Sequence, residues 1–172
     1  MPRLQRTLGT WLRHLWLDAD DVHRQLDTEA MRRLTQAVAA SEAKHSGEIR
    51  LCVEGGLPLR PLWHGISPRA RASEMFATLG VWNTEANNGV LIYLCLADHA
   101  IEIVADRGLS QRVPAEFWRS VVADMSRAFK NGQFEQGVHA AIAAVDAQLS
   151  AHFPRALGAT DRNELPDAPA VR

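Results

Sequence analysis

Residues 85–108 read EANNGVLIYLCLADHAIEIVADRG, and how this stretch runs decides the fold. GVLIYLCLA (89–97) is apolar at nearly every position, as expected of a central strand covered on both faces. HAIEIVA (99–105) alternates less strictly and is also strand-like. Little more than Ala97, Asp98 and His99 lies between them, so a tight antiparallel hairpin is the economical connection. The reversal brings Asn87, Asn88 and Gly89 opposite Asp106, Arg107 and Gly108 at one edge of the sheet, and sends Asp98 and His99 to the other. Together with Glu85 these residues make a candidate rim. Converging side-chain oxygens, a carboxylate and backbone amides can hold a cation or a small anion, with Asn88 and Asp106 as candidate metal ligands. Asn-Asn-Gly is equally ordinary turn chemistry, and Asp-Arg-Gly an ordinary strand exit. At this level both readings stand.

Working outward, EIRLCVE (48–54) alternates, is rich in β-formers and predicts a first strand. A strand–helix–strand unit makes a right-handed parallel crossover, which carries Ser46, Gly47 and Glu48 to the rim edge. Before that strand, Asp27 or Thr28 caps a helix running to about Lys44, with Gly47 as a left-handed stop. GGLPLRPLWHGIS (55–67) holds two prolines and three glycines and reads as a loop. Ser67-Pro68 opens a helix to Leu79, Pro114 one to about Lys130, and a last helix runs from about Phe134 to Ala151. The expected architecture is an α/β fold, a three-layer α/β/α sandwich around a small mixed sheet. Its parts are an N-terminal amphipathic helix and linker (1–26), the α/β/α domain (27–151) and a C-terminal tail (152–172).

A net charge of −1 gives no global field to attract nucleic acid. Cys52 and Cys95 sit inside apolar runs with no metal-ligand spacing, which suggests packing thiols in a reducing compartment rather than a disulfide. Without a secretory leader pattern or an apolar run of about 20 residues, the expected location is the cytoplasm. MPRLQRTLGTWLRHLWL (1–17) places Trp11 and Trp16 on an apolar stripe among Arg3, Arg6 and Arg13. Such a helix covers its own core, lies on an anionic membrane or docks a protein partner.

The ordered set SGEIRLCVE (46–54), RARASEMFATLGVWNTEANNGVLIYLCLADHAIEIVADRGL (69–109) and FKNGQFEQGVHAAIAAV (129–145) resembles the TPM-domain family over roughly residues 27–151. That family includes thylakoid-lumen and photosystem-repair proteins, membrane-anchored bacterial proteins and a modulator of acetylcholine receptors. NELPD (163–167) and the crowded tryptophans look like its signal-less bacterial branch, often found beside a membrane-anchored relative. The resemblance implies an α/β/α sandwich, for some members a divalent-metal site, often calcium, near the strand edge, and for plant members a weak acid phosphatase activity. Where the family pattern has acidic residues, this chain has Asn87 and Ser110, while Asp106 adds a carboxylate and Arg107 a positive charge that opposes a cation. Arg107 is also placed to pair with Asp106 or Glu85.

The seven histidines are scattered outside the rim, and GxSxG, HExxH and a phosphate-binding glycine loop are all missing. Two functions follow. The favoured one is a non-catalytic binding module acting with a membrane-associated partner or paralogue, through Trp11, Arg13 and Trp16 and through Trp63 in the central loop. The other is a weak divalent-metal-dependent phosphatase built on Asp106, Asn88 and Glu85.

Overall fold

The computed structural model describes Leu12, His14, residues 19–155 and residues 163–172. Two six-residue segments build the centre: β1 (Ile49–Glu54) and β2 (Val90–Cys95) run parallel, with Ile49 opposite Val90 and Glu54 opposite Cys95. β3 (Ala100–Ala105) returns antiparallel to β2, pairing Val90 with Ala105. Every residue of β1 and β2 is buried, as expected for strands with neighbours on both sides and helices on both faces.

The chain expected to trail as a tail supplies a fourth strand. β4 (Ala170–Val171) pairs parallel with β1, giving the order β3-β2-β1-β4. Periodicity could not reveal it because two residues carry no period. Glu48, just before β1, and Arg50 within it hold the segment instead. The Glu48 carboxylate accepts from the N–H groups of Glu164 (3.1 Å) and Leu165 (3.3 Å), and the Arg50 guanidinium donates to the carbonyls of Pro166 and Ala168.

The expected linker also folds. α1 (Ala19–Gln25) is followed by α2 (Thr28–Glu42), capped by Asp27, whose side chain accepts from Ala30 N at 2.7 Å. Val22 and Leu26, one helical turn apart, are buried in the main core. Gly47 is not the left-handed stop of α2, which ends in a right-handed cap at Ala43. A Cβ at Gly47 would lie 2.4 Å from Leu149 Cδ2, so a larger residue there requires the Leu149 side chain to shift. Residues 55–67, expected to be irregular, contain a short helix α3 (Leu59–Trp63), whose Leu62 is buried.

α4 (Pro68–Thr78) starts at the Ser67–Pro68 pair, with Ser67 Oγ accepting from Ala70 N at 3.2 Å. After β3 come α5 (Arg107–Ser110), α6 (Ala115–Lys130) and α7 (Phe134–His152), the last two joined through left-handed Gly132. The pleat sorts the strands into two cores. Ile49, Leu51, Val53, Val90, Ile92 and Leu94 face α1, α2, α6 and α7. Cys52, Leu91, Tyr93 and Cys95 face α3, α4 and Leu165. This is the three-layer sandwich around a mixed sheet that the sequence implies.

Candidate functional site

The amino edge of the parallel strands gathers the rim. The hairpin register extends one step past Val90–Ala105, and Asp106 N donates to Gly89 O at 2.9 Å. β1 delivers its own start alongside: Val90 N donates to Glu48 O at 2.8 Å, and Asn88 Nδ2 to Ser46 O at 3.0 Å. Asn87 takes a left-handed conformation (φ 52°), for which Asn is suited. A Cβ on Gly108 would lie 2.6 Å from Ala86 O and 2.5 Å from Asn87 O, so that position admits only glycine beside the two carbonyls. Gly89 is as tightly placed, against the backbone of Val81.

Two oxygens in this edge have no hydrogen-bond partner among the described residues. Asn88 is fully buried; its amide nitrogen is used on Ser46, yet Oδ1 accepts nothing. Asp106 Oδ1 accepts from Arg107 N at 2.7 Å, capping α5, while Oδ2 is buried without a hydrogen bond. Buried polar atoms are normally satisfied, and each exception calls for a cause. Each is the kind of oxygen that a hard cation accepts as a ligand. Among the described residues the rim brings no three His, Cys, Asp or Glu ligand atoms together. Arg107 pairs with neither Asp106 nor Glu85; its side chain is exposed and makes no ion pair among the described residues.

Sequence reasoning carried Glu48 and Glu85 to this edge but missed Glu42, at the end of a helix read only for its apolar face, and Glu164 and Asp167, which come from the expected tail. Glu85 N donates to the Glu164 carboxylate at 3.1 Å. Glu42, at the end of α2, accepts from Ile49 N at 2.8 Å. Burial, with the charges of Glu48 and Asp167 nearby, pushes the Glu42 carboxyl up to about 8.

Two other side-chain clusters compete as chemistry. Ser41 Oγ lies 2.9 Å from His45 Nε2, with Asp146 Oδ1 3.5 Å from the same nitrogen. His45 Nδ1 accepts from Gly47 N at 3.2 Å, so a neutral ring carries its proton on Nε2 and cannot take one from Ser41. His14, Cys95 and Asp98, at the opposite edge, place ligand atoms within 4.8 Å of one another. Here His14 Nδ1 accepts from Leu57 N at 3.0 Å, which puts the proton on Nε2, 2.9 Å from Asp98 Oδ1. A metal on Nε2 would drive that proton onto Nδ1, against the Leu57 N–H. Both clusters are structural, and the second ties His14 to the hairpin. Burial raises the thiols, Cys52 to about 12 and Cys95 to about 11, which leaves neither as a nucleophile.

Of the residues expected to meet a partner, Trp63 stands 79% exposed at the end of α3; Trp82, in the turn after α4, is 54% exposed. Trp11, Arg13 and Trp16 lie outside the described residues. No described helix is long and apolar enough to cross a membrane.

Comparison with known proteins gives a consistent picture. A family model described as the TPM domain matches residues 20–148. No curated protein matches the chain. Among solved structures, the chain is similar to the NMR structure of the BA42 protein from the psychrophilic bacterium Bizionia argentinensis. The two share 30% identity with a TM-score of 0.74, over 86% of this chain and 95% of that one.

Proposed function

The chain belongs to the TPM-domain family, and from that premise we propose that it is a non-catalytic binding module whose rim holds a divalent cation. Calcium is the expected ion, and the working partner is a membrane-associated protein met at the cytoplasmic face. The observation that carries the reading is the pair of buried, unpartnered oxygens, Asn88 Oδ1 and Asp106 Oδ2, at one sheet edge. A cation bound at the rim would supply the partner that Asp106 Oδ2, or Asn88 Oδ1, lacks. With one carboxylate among its side-chain ligands, the rim would bind weakly, in the range of a sensor or extracellular-type site rather than a buffer.

The binding reading is favoured over the phosphatase because the rim holds no activated nucleophile and no histidine base. Trp63, exposed on α3, offers the kind of large rigid side chain that anchors interfaces.

Thermal melting under calcium titration, run beside a metal-supplemented phosphate-ester assay, tests the proposal. The expected result is a calcium-dependent rise in melting temperature that Asp106→Ala removes, with no turnover. An unchanged melting temperature at millimolar calcium would overturn the cation rim. Metal-stimulated turnover lost in Asp106→Ala would replace the binding module with the phosphatase.

A further inference from the structure

Residues 163–172 lie on the sheet with little apolar burial to hold them. Leu165 is the one buried residue of the segment, and the ladder of β4 with β1 is two residues long. Arg172 extends that ladder, donating to Val53 O and accepting from Gly55 N, each at 3.0 Å. The rest of the attachment runs through charged side chains. Arg50 donates to the carbonyls of Pro166 and Ala168, the residues on either side of Asp167. Between them the Asp167 carboxylate is in hydrogen-bonding contact with Glu42, at the end of α2. Glu42 Oε1 also accepts from Ile49 N at 2.8 Å, so one carboxyl group joins α2, β1 and the C-terminal segment.

An ionised carboxylate only accepts, so a hydrogen bond between two carboxyl groups needs a proton on one of them. Glu42 is the buried member, and Asp167 is half-buried and accepts from Asn163 Nδ2 at 2.6 Å. The charged groups facing Glu42 are Glu48 and Arg50 from β1 and its start, Asp167 from the segment, and Arg155 beyond α7. Arg155 donates to the carbonyls of Glu42 and His45, while the His45 ring turns to Ser41 and Asp146. Arg50 makes no ion pair among the described residues: its Nη1 serves carbonyls, and its Nε is buried without a hydrogen bond. Burial, with Glu48 and Asp167 beside it, is what pushes the Glu42 carboxyl up to about 8.

We propose that residues 163–172 are a proton-operated strap: the proton shared by Glu42 and Asp167 holds the segment on β1, and its loss lets the segment lift while the sandwich stays folded. Deprotonation ends the hydrogen bond and leaves two like charges in contact, with Glu48 as a third. Docking raises the Glu42 pKa above its ordinary 4.5, so the docked strap is favoured at low pH and is lost as pH rises through about 8. A lifting strap also takes the Glu164 carboxylate away from Glu85 N at the rim. The device does not depend on a cation there.

A spin label on Ala168→Cys, an exposed strap position in the full chain, tests this; the native Cys52 and Cys95 are buried. The mobile fraction of the label should rise at least about tenfold between about pH 6 and about pH 9.5. A second label at Glu116→Cys, exposed on α6, should keep its line shape throughout. Glu42→Gln keeps an acceptor for Ile49 N and a permanent donor for Asp167, and should hold the strap label immobile over the whole range. Asp167→Asn puts an amide donor beside the ionised Glu42 and should do the same at the upper pH. Equal mobility of the parent at both pH values would overturn the proposal, as would a transition that persists in Glu42→Gln. A Glu116 label that loosens together with the strap label would mean that the whole chain opens, and would overturn it too.

Discussion

Two buried polar clusters sit at opposite ends of the same sheet, and they treat their polar atoms differently. At the carboxyl end of β1, Glu54 is fully buried, and its carboxylate accepts from Arg71 Nε at 2.9 Å, Arg71 Nη2 at 2.5 Å and Tyr93 OH at 2.6 Å. Arg71 Nη1 continues to Glu74 at 2.9 Å, and the carboxylate beside it raises the guanidinium further. Each charge has a geometric partner, the arrangement that makes a buried ion pair tolerable. At the amino end, Asn88 Oδ1 and Asp106 Oδ2 are buried with nothing donating to them, and Glu42 holds its proton into the neutral range. The first cluster closes on itself and belongs to folding. The second leaves two buried oxygens without a donor among the described residues, a cost that folding alone does not offset.

The largest way to break this contrast is to unbalance the closed cluster. Arg71→Met would leave the Glu54 charge buried and unpaired, and should lower stability by about 3–5 kcal/mol in urea unfolding. Adding Glu54→Gln should recover a good part of that loss, because the expense lies in the stranded charge.

The open end should respond to pH in the direction set by Glu42. Its folded-state pKa lies above its ordinary value of 4.5, at about 8, so the folded chain binds more protons than the unfolded chain between those limits. Stability should therefore be greatest near pH 5 and fall as pH rises to about 8. Glu42→Gln should flatten melting temperature against pH over this window; a slope that persists would assign the effect elsewhere.

A smaller effect separates the rim from ordinary core. In metal-free buffer Asp106→Ala removes only the cap of α5 together with an unsatisfied oxygen, and should change stability by no more than about 1 kcal/mol. A loss near that of Arg71→Met would mean that the rim carboxylate is a folding element after all. The smallest expected change is at the exposed pair of Arg32 with Glu29, where Arg32→Ala should shift stability by less than about 0.5 kcal/mol.

The sequence by itself determined the hairpin and therefore the rim. The apolar runs flanking Asp98 are too close together for any crossover, so reversal was the only short connection, and the register then carried residue 106 back to residue 89. The caps at Asp27 and Ser67, the left-handed Gly132 stop and the buried face of α7 were legible for the same local reason. Tertiary structure alone decided the rest. β4 and α3 are too short to show a period, and residues 163–172 are ordered by hydrogen bonds to Glu48 and Arg50, more than a hundred positions away. The roles of His14 and His45 turned on which ring nitrogen meets a backbone N–H, and Gly47 on the packing of Leu149. Pattern reads what a segment prefers; which polar atoms end up with partners depends on segments brought together only when the whole chain folds.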